Sequence, residues 1–405
     1  MPDATHPVYD IAIVGAGAAG LALAAALKRE ARLKLALIAP AAPATPDRLR
    51  TVALSPGSRA LIERVGAWEA LQPQAQPIVE MAIFDGTPRD AVRLEQLRFH
   101  APEDAPLAHM AYNDDVAAAL AQAAEAAGVV RIDGAVADFA AGPFVAQLKL
   151  ADGRGLRARL VVGADGARSK LRALAEIATS GWPTGQCGIV ATIAHEREHG
   201  GRAEQHFLPA GPFAMLPLRG RCSSIVWNEP PREAERLCAL PQDEFIAELE
   251  RRFSPALGKL RRLGAARAFP LEFRFARDYV AERLALVGDA AHLVHPLAGQ
   301  GLNLGLRDVA ALAEVLVERL RLGLDPGARE PLAEYQRRRR FDAVTSGLGM
   351  DAMNRLFSND SAALRALRDL GLRVVDRAGP LKRALIAEAG GDVATAPRLL
   401  RGLGL

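Results

Sequence analysis

The spacing of apolar residues changes twice near the N-terminus. Tyr9 to Val14 is an unbroken apolar run, the pattern of a strand buried on both faces. Leu21 to Arg29 then reads at helical spacing, and Leu33 to Ile38 is again a short apolar run. Strand, helix and strand in close succession predict the opening of a doubly wound parallel sheet.

Further along, Asp115 to Ala127 predicts an Ala-rich helix ending at Gly128. Val129 to Ile132, Phe144 to Leu150 and Arg159 to Val162 predict strands, with Asp152-Gly153 as a turn. Between Cys187 and Trp227 the texture becomes β-like. Short runs such as Gly188 to Ile193 and Ser223 to Trp227 alternate there with Gly and Pro turns. Asp243 to Phe253 predicts an amphipathic helix, Leu284 to Val287 a strand of the first kind and Val309 to Leu320 a helix, with mostly helical sequence after it. Nucleotide-type pieces thus recur at three places with β-rich sequence between them. The expected division assigns residues 1–78, 104–180 and 271–330 to a discontinuous Rossmann-like domain. Residues 79–103 and 181–270 form a β-rich insert, and 331–405 form C-terminal helices.

The chain has 405 residues, half of them apolar, enough for two domains. Its 51 basic and 47 acidic residues leave a formal charge of +4, which does not call for nucleic acid. Arg337 to Arg340, with Arg319 and Arg321 upstream, form the one conspicuous basic run. It reads first as a solvated helix face, and alternatively as a patch for anionic lipid headgroups. Cys187, Cys222 and Cys238 match no zinc, redox or disulfide spacing, so no metal is expected and a cytoplasmic compartment fits. No signal-peptide pattern and no apolar stretch approaching a membrane span stands out. Any membrane contact is expected to be peripheral, at the inner face of the cytoplasmic membrane.

Three motifs carry chemistry. In Gly15-Ala16-Gly17-Ala18-Ala19-Gly20, Gly15 permits the tight turn out of the strand and Gly17 lets backbone approach a pyrophosphate. Gly20 lets helix pack on strand, and the helix start offers unsatisfied N–H groups to the phosphates. The acidic residue that usually ends the second strand and holds a ribose is replaced by Ala39-Pro40; Asp47 is the nearest carboxylate. Gly163-Ala164-Asp165-Gly166 can place a carboxylate near a cofactor or buttress a neighbouring loop, although turns are the commoner cause of Asp-Gly. The third motif runs from Gly288-Asp289-Ala290-Ala291-His292 through Pro296, Gly299, Gln300, Gly301, Leu302 and Asn303 to Gly305 and Asp308. Asp289 can accept from ribityl hydroxyls, and Gly299 to Leu302 can present N–H groups at a helix start.

With these motifs in this order, the chain resembles the para-hydroxybenzoate-hydroxylase-like flavin monooxygenases, and among them the ubiquinone-biosynthesis FAD-dependent hydroxylases. Arg50, the Gly211 to Trp227 segment and Tyr335-Gln336-Arg337-Arg338-Arg339 extend the resemblance over nearly the whole chain. It implies an α/β fold, with a discontinuous Rossmann-like FAD-binding domain, an inserted β-rich substrate domain and a helical C-terminal region. It implies FAD, molecular oxygen and either NAD(P)H or a protein electron donor. The implied substrate is a prenylated phenol, with a quinone-biosynthesis complex as partner. It places Arg50, Asn113, Val136 and Asp165 at the cofactor beside the glycine and Gly288 to Asn303 residues, and Met215, Pro217 and Trp227 at the substrate. No diagnostic catalytic base is present; His292 and Tyr112 are candidate members of a proton network. Alternatives are hydroxylation of another aromatic, a flavin reductase acting on prenyl lipids, or a scaffold role. A halogenase is disfavoured because Trp68, Trp182 and Trp227 stand alone.

Overall fold

The computed structural model describes residues 7–41, 48–87, 90, 95–103, 105–253, 255–294, 300–358 and 396–405. The continuous apolar runs become neighbouring parallel strands. Val8–Val14 lies between Leu35–Ala39 and Gly155–Gly163, and Leu284–Leu286 adds beyond the latter. Val130–Asp133 pairs in parallel with Leu35–Ala39. The helix Ala18–Glu30 packs between Asn113–Ala126 and Gln300–Arg321, and its Leu21 to Leu27 share one core with the sheet strands.

The register has a direct consequence for function. Val14 pairs with Gly163, and Gly163 with Leu286. Three motifs, spread over 274 positions from Gly15 to Asp289, therefore leave adjacent strand ends at one edge of one sheet.

A second, largely antiparallel sheet stands over that edge. Its order is His292–Leu293, Leu260–Ala276, Thr179–His195, Cys222–Glu229, Gly211–Leu218, Arg202–Leu208, Glu80–Asp85 and Glu95–His100. One face is closed by the helices Pro231–Ala239 and Gln242–Glu250, whose Leu237, Phe245 and Leu249 pack on Phe213, Met215 and Trp227. The other face meets a small sheet of Thr51–Leu54, Ala108–Tyr112 and Gln76–Ile78. These three short strands are not predicted by the apolar pattern, because each is only half-buried and lacks a continuous run.

Two expectations change at the C-terminal side. The helix expected from Val309 begins at Gln300, because the Gly-rich start is already helical. The basic run is not one solvated face: on the helix Arg329–Phe357, Arg339 is buried with Tyr335 and Ala343. Four-residue spacing turns these three inward together. Arg338 pairs with Glu314 and Glu334, Arg319 with Glu330, and Arg321 with Glu30. Arg337 and Arg340 remain exposed.

Candidate active site

The strand ends open into a cleft of about 770 Å³ between the two sheets, within the ~300–1,000 Å³ usual for ligand sites. The nucleotide-sheet wall carries Gly17, Ala18 and Ala19, then Ala164 to Arg168, then Gly288 and Asp289, with Gly301, Leu302 and Gly305 from the long helix. Arg50, Thr51, Asn113 and Asp114 close one side. The opposite wall is Gly188, Val190, Val226, Phe269, Pro270 and Leu271 of the large sheet.

The glycines divide by function. Gly15 has φ +112°, and a Cβ there would sit 2.2 Å from the Ala164 carbonyl oxygen. A Cβ on Gly20 would sit 2.0 Å from the Gly15 oxygen. Both serve close packing. Gly17 is different: a Cβ would meet nothing within 4 Å, yet the residue lines the cleft. Its bareness is required only by something entering from outside. It precedes the first turn of the Ala18–Glu30 helix with no side-chain cap, which leaves the N–H groups there for an anion. Ala16 sits in the same turn.

The Asp-Gly motif does both jobs open to it. Asp165 lines the cleft, while its Oδ2 accepts from the backbone N–H of Lys170 at 2.7 Å and of Leu171 at 3.2 Å. Its Oδ1 has no protein partner, and neither does Oδ1 of Asn113. Asp289 also lines the cleft; burial pushes its carboxyl above the ordinary value, against the pull of His292 and Arg50. An open glycine turn, spare carboxylate and amide oxygens and a cleft-lining carboxylate at the strand end fit a ligand with pyrophosphate and hydroxyl groups.

Arg172 is a residue the sequence did not single out. It is buried and donates to the carbonyls of Ala290 at 2.7 Å and Ala167 at 2.9 Å, tying the second motif to the third. Burial and the neighbouring Arg274 lower its pKa. An exposed-looking Arg six residues past an ordinary Asp-Gly turn carries no signal of such a clamp.

Several predicted residues lie elsewhere. Asn303 is buried, and its amide is spent on the Ser55 N–H and the Ala53 carbonyl, so it ties the helix to the small sheet and does not line the cleft. Val136 is a buried strand residue paired with Leu150, also away from the cleft lining. His292 lies behind the wall, with Nε2 2.6 Å from Asp308 Oδ2. Tyr112 is outside the lining, with its hydroxyl 3.5 Å from Thr192 Oγ1. Gln300 begins the long helix next to the lining residues. Pro296, Gly299 and Asp47 lie outside the described residues.

The residues expected at the substrate point away from the cleft. Side chains alternate across a strand. Met215 and Trp227 face the covering helices, and Pro217 shares the parity of Met215. Trp227 is fully buried, with its N–H donated to Glu229 at 2.8 Å. The cleft-side partners are Val226, which lines the cavity, and Ala214 and Leu216 of the other cluster. Composition of the segment was apolar on both faces, so periodicity could not choose between them.

Comparison with known proteins agrees with this geometry. The family described as "FAD binding domain" matches residues 8–344. Ubiquinone hydroxylase UbiL of Rhodospirillum rubrum is 42% identical over 433 residues, covering 100% of this chain and 97% of that protein. The 3-demethoxyubiquinol 3-hydroxylase of Escherichia coli is 37% identical over 398 residues, covering 96% of this chain and 100% of that protein. Among solved structures, p-nitrophenol 4-monooxygenase PnpA from Pseudomonas putida shares the fold with a TM-score of 0.78 at 19% identity, covering 96% of this chain and 100% of that one.

Proposed function

Because the chain belongs to the FAD-binding family of ubiquinone-biosynthesis hydroxylases, we propose that it binds FAD in this cleft and hydroxylates the ring of a prenylated phenol on the path to ubiquinone. The observation that carries the reading is the division of the cleft. Its polar glycine-lined wall comes from three parallel strand ends, and its apolar wall comes from a different sheet. In this reading residues 1–78, 104–180 and 271–330 belong to the cofactor domain, 79–103 and 181–270 to the substrate domain, and the C-terminal helix Arg329–Phe357 braces the cofactor side.

Bound FAD, once reduced by NAD(P)H or a protein donor, supplies the activation of molecular oxygen for transfer to an electron-rich ring. The chain's residues do the rest. The Gly15 to Gly20 turn and the helix start would receive the pyrophosphate, and Arg50, whose charge acts on Asp289, would lie near the flavin. Asp289 accepts from ribityl hydroxyls. The N–H groups near Gly301 and Leu302 face negative charge at the ring. Val190, Val226, Phe269 and Leu271 exclude water and give the aromatic ring and its tail an apolar seat.

A prenylated substrate partitions into lipid, so the enzyme collects it at the bilayer surface, at the inner face of the cytoplasmic membrane and in contact with other quinone-biosynthesis enzymes. No helix among the described residues is long and apolar enough to cross a membrane; in this reading the contact is peripheral, with exposed Arg337 and Arg340 toward anionic headgroups.

The test is a deletion strain. It should lose ubiquinone and accumulate a prenylated phenol lacking one oxygen. The purified chain should release about one FAD on denaturation and place label from oxygen gas in the product. Product formed without labelled oxygen would instead support a flavin reductase. Normal ubiquinone in a strain without a substituting enzyme would reject the pathway.

A further inference from the structure

Four hydroxyl side chains meet where the small sheet touches the large one. Thr51 and Tyr112 are paired across two strands of the small sheet. Thr192 and Ser224 are paired across two strands of the large sheet. Thr51 Oγ1 donates to Ser224 Oγ at 2.9 Å, and Tyr112 Oη lies 3.5 Å from Thr192 Oγ1. Ser224 is fully buried and Thr192 nearly so, whereas Thr51 lines the cleft. The surrounding cluster, including Met110, Ala214 and Leu216, is apolar.

Buried hydroxyls in an apolar junction need partners. Those of Thr51 and Ser224 find one in each other, and Thr51, which lines the cleft, keeps its acceptor lone pairs. A hydroxyl has one donor and two acceptor sites. Thr51 spends its donor on Ser224, so what it offers a ligand is acceptance. The neighbouring lining residues Val190, Val226, Phe269, Pro270 and Leu271 offer no side-chain polar atom, and Glu272 is already paired with Arg274.

Resting on the hydroxylase reading above, we propose that Thr51, oriented by Ser224, accepts a hydrogen bond from the ring O–H of a neutral phenol and so sets which ring carbon faces the flavin. An uncharged acceptor withdraws no electron density from the ring, and leaning on the O–H proton enriches it. The same acceptor leaves a ring ether with two opposed lone pairs and a ring without oxygen with nothing. Thr51 touches the substrate; Ser224 is the positioning residue.

The test uses the FAD-loaded protein with 2-geranylphenol and its O-methyl ether, titrated by the change in flavin absorbance. A neutral hydrogen bond is worth ~0.5–1.5 kcal/mol, so wild type should bind the phenol about two- to tenfold more tightly. Thr51→Val should erase the preference and raise the share of oxygen consumed without product; Thr51→Ser should restore both. Retained preference in Thr51→Val, or its loss in Thr51→Ser, would overturn the proposal. Should Thr51→Val not hold FAD, Ser224→Ala carries the same test: it frees the Thr51 proton to donate, so the preference must shrink, and an unchanged preference overturns the proposal. Wild type that hydroxylates prenylated phenols but binds phenol and ether alike removes this inference alone. Wild type that hydroxylates neither phenol nor quinone precursor removes the functional reading beneath it.

Discussion

His292 Nε2 lies 2.6 Å from Asp308 Oδ2, and both side chains are fully buried. The same Oδ2 accepts the Gly288 N–H at 3.0 Å, and Oδ1 accepts from Arg339 Nε at 2.8 Å. An ionised carboxylate only accepts, so Nε2 carries the proton of the His292 bond. Asp308 thus joins the C-terminal helix to the turn that delivers Asp289 to the cleft. Tyr335 adds a 2.6 Å bond to the Leu286 carbonyl on the strand before that turn.

Burial alone would raise the Asp308 carboxyl, but His292 and Arg339 together hold it below its ordinary 3.8. A lowered folded-state value contributes stability above the unfolded value, lost as acid passes through the folded one. Asp308→Asn should therefore cost about 3–5 kcal/mol near neutrality, the scale for breaking a buried pair. It should also flatten the fall of stability below about pH 4. Thermal melts of the apoprotein across pH check both; a variant as stable as wild type would show that the network does not brace the turn.

The glycine turn separates folding from cofactor binding. Gly17→Ala should leave the apoprotein melting temperature close to wild type, because its Cβ enters open space. It should still weaken FAD, because that space is where backbone approaches the pyrophosphate. Gly15→Ala and Gly20→Ala should lower apoprotein stability by about 1–3 kcal/mol, by strain and overpacking. Paired melting and flavin titrations decide it. Full FAD affinity in Gly17→Ala would place the pyrophosphate elsewhere.

Asp289 should show a trade between stability and binding. Its carboxyl is raised by desolvation within the cleft, so its ionised form costs the apoprotein some stability as pH rises through the folded value, a small cost because the side chain is open to solvent there. Asp289→Asn should then raise the apoprotein melting temperature at neutral pH. It should weaken FAD by about tenfold to a hundredfold, from a charge-assisted bond of ~1.5–3 kcal/mol. His292→Ala should do the reverse: lower stability, with a smaller loss of FAD. Equal FAD retention in the two variants would remove Asp289 from the cofactor's partners.

How much of this was legible in the sequence depends on the period of the local pattern. Tyr9 to Val14 followed by Gly15 to Gly20 could only be strand, tight turn and helix, and parallel pairing then forced the strand ends together. The Asp165 and Gly288-Asp289 motifs followed for the same reason. Asn303 looked like a ligand because it sits in a Gly-rich string, yet helical rotation turns it toward Ser55 and Ala53. Arg339 looked like surface charge because it lies in a run of four arginines, and its buried partner Asp308 is 31 positions away. Arg172, Thr51 and Ser224 gave no local signal, since their roles exist only through contacts with segments far away in sequence.

Strand parity in the large sheet gives the last prediction. Along Cys222–Glu229, Val226 faces the cleft and Trp227 faces the covering helices. Trp227 packs with Phe213 and Phe245, and its N–H satisfies Glu229, whose carboxyl is raised by burial. Trp227→Phe should therefore lower the melting temperature, through a smaller side chain and a lost donor to a buried carboxyl, at about 1–3 kcal/mol. The KM for a prenylated phenol should stay near wild type. Val226→Ala should do the opposite. It removes two methyl groups from the substrate wall at ~0.8 kcal/mol each, so KM should rise up to about tenfold while the melting temperature falls less than for Trp227→Phe. Steady-state kinetics and melting of the two variants side by side check the assignment. If Trp227→Phe changes KM and Val226→Ala does not, the substrate lies on the helix-covered face, and the cleft between the sheets holds the cofactor alone.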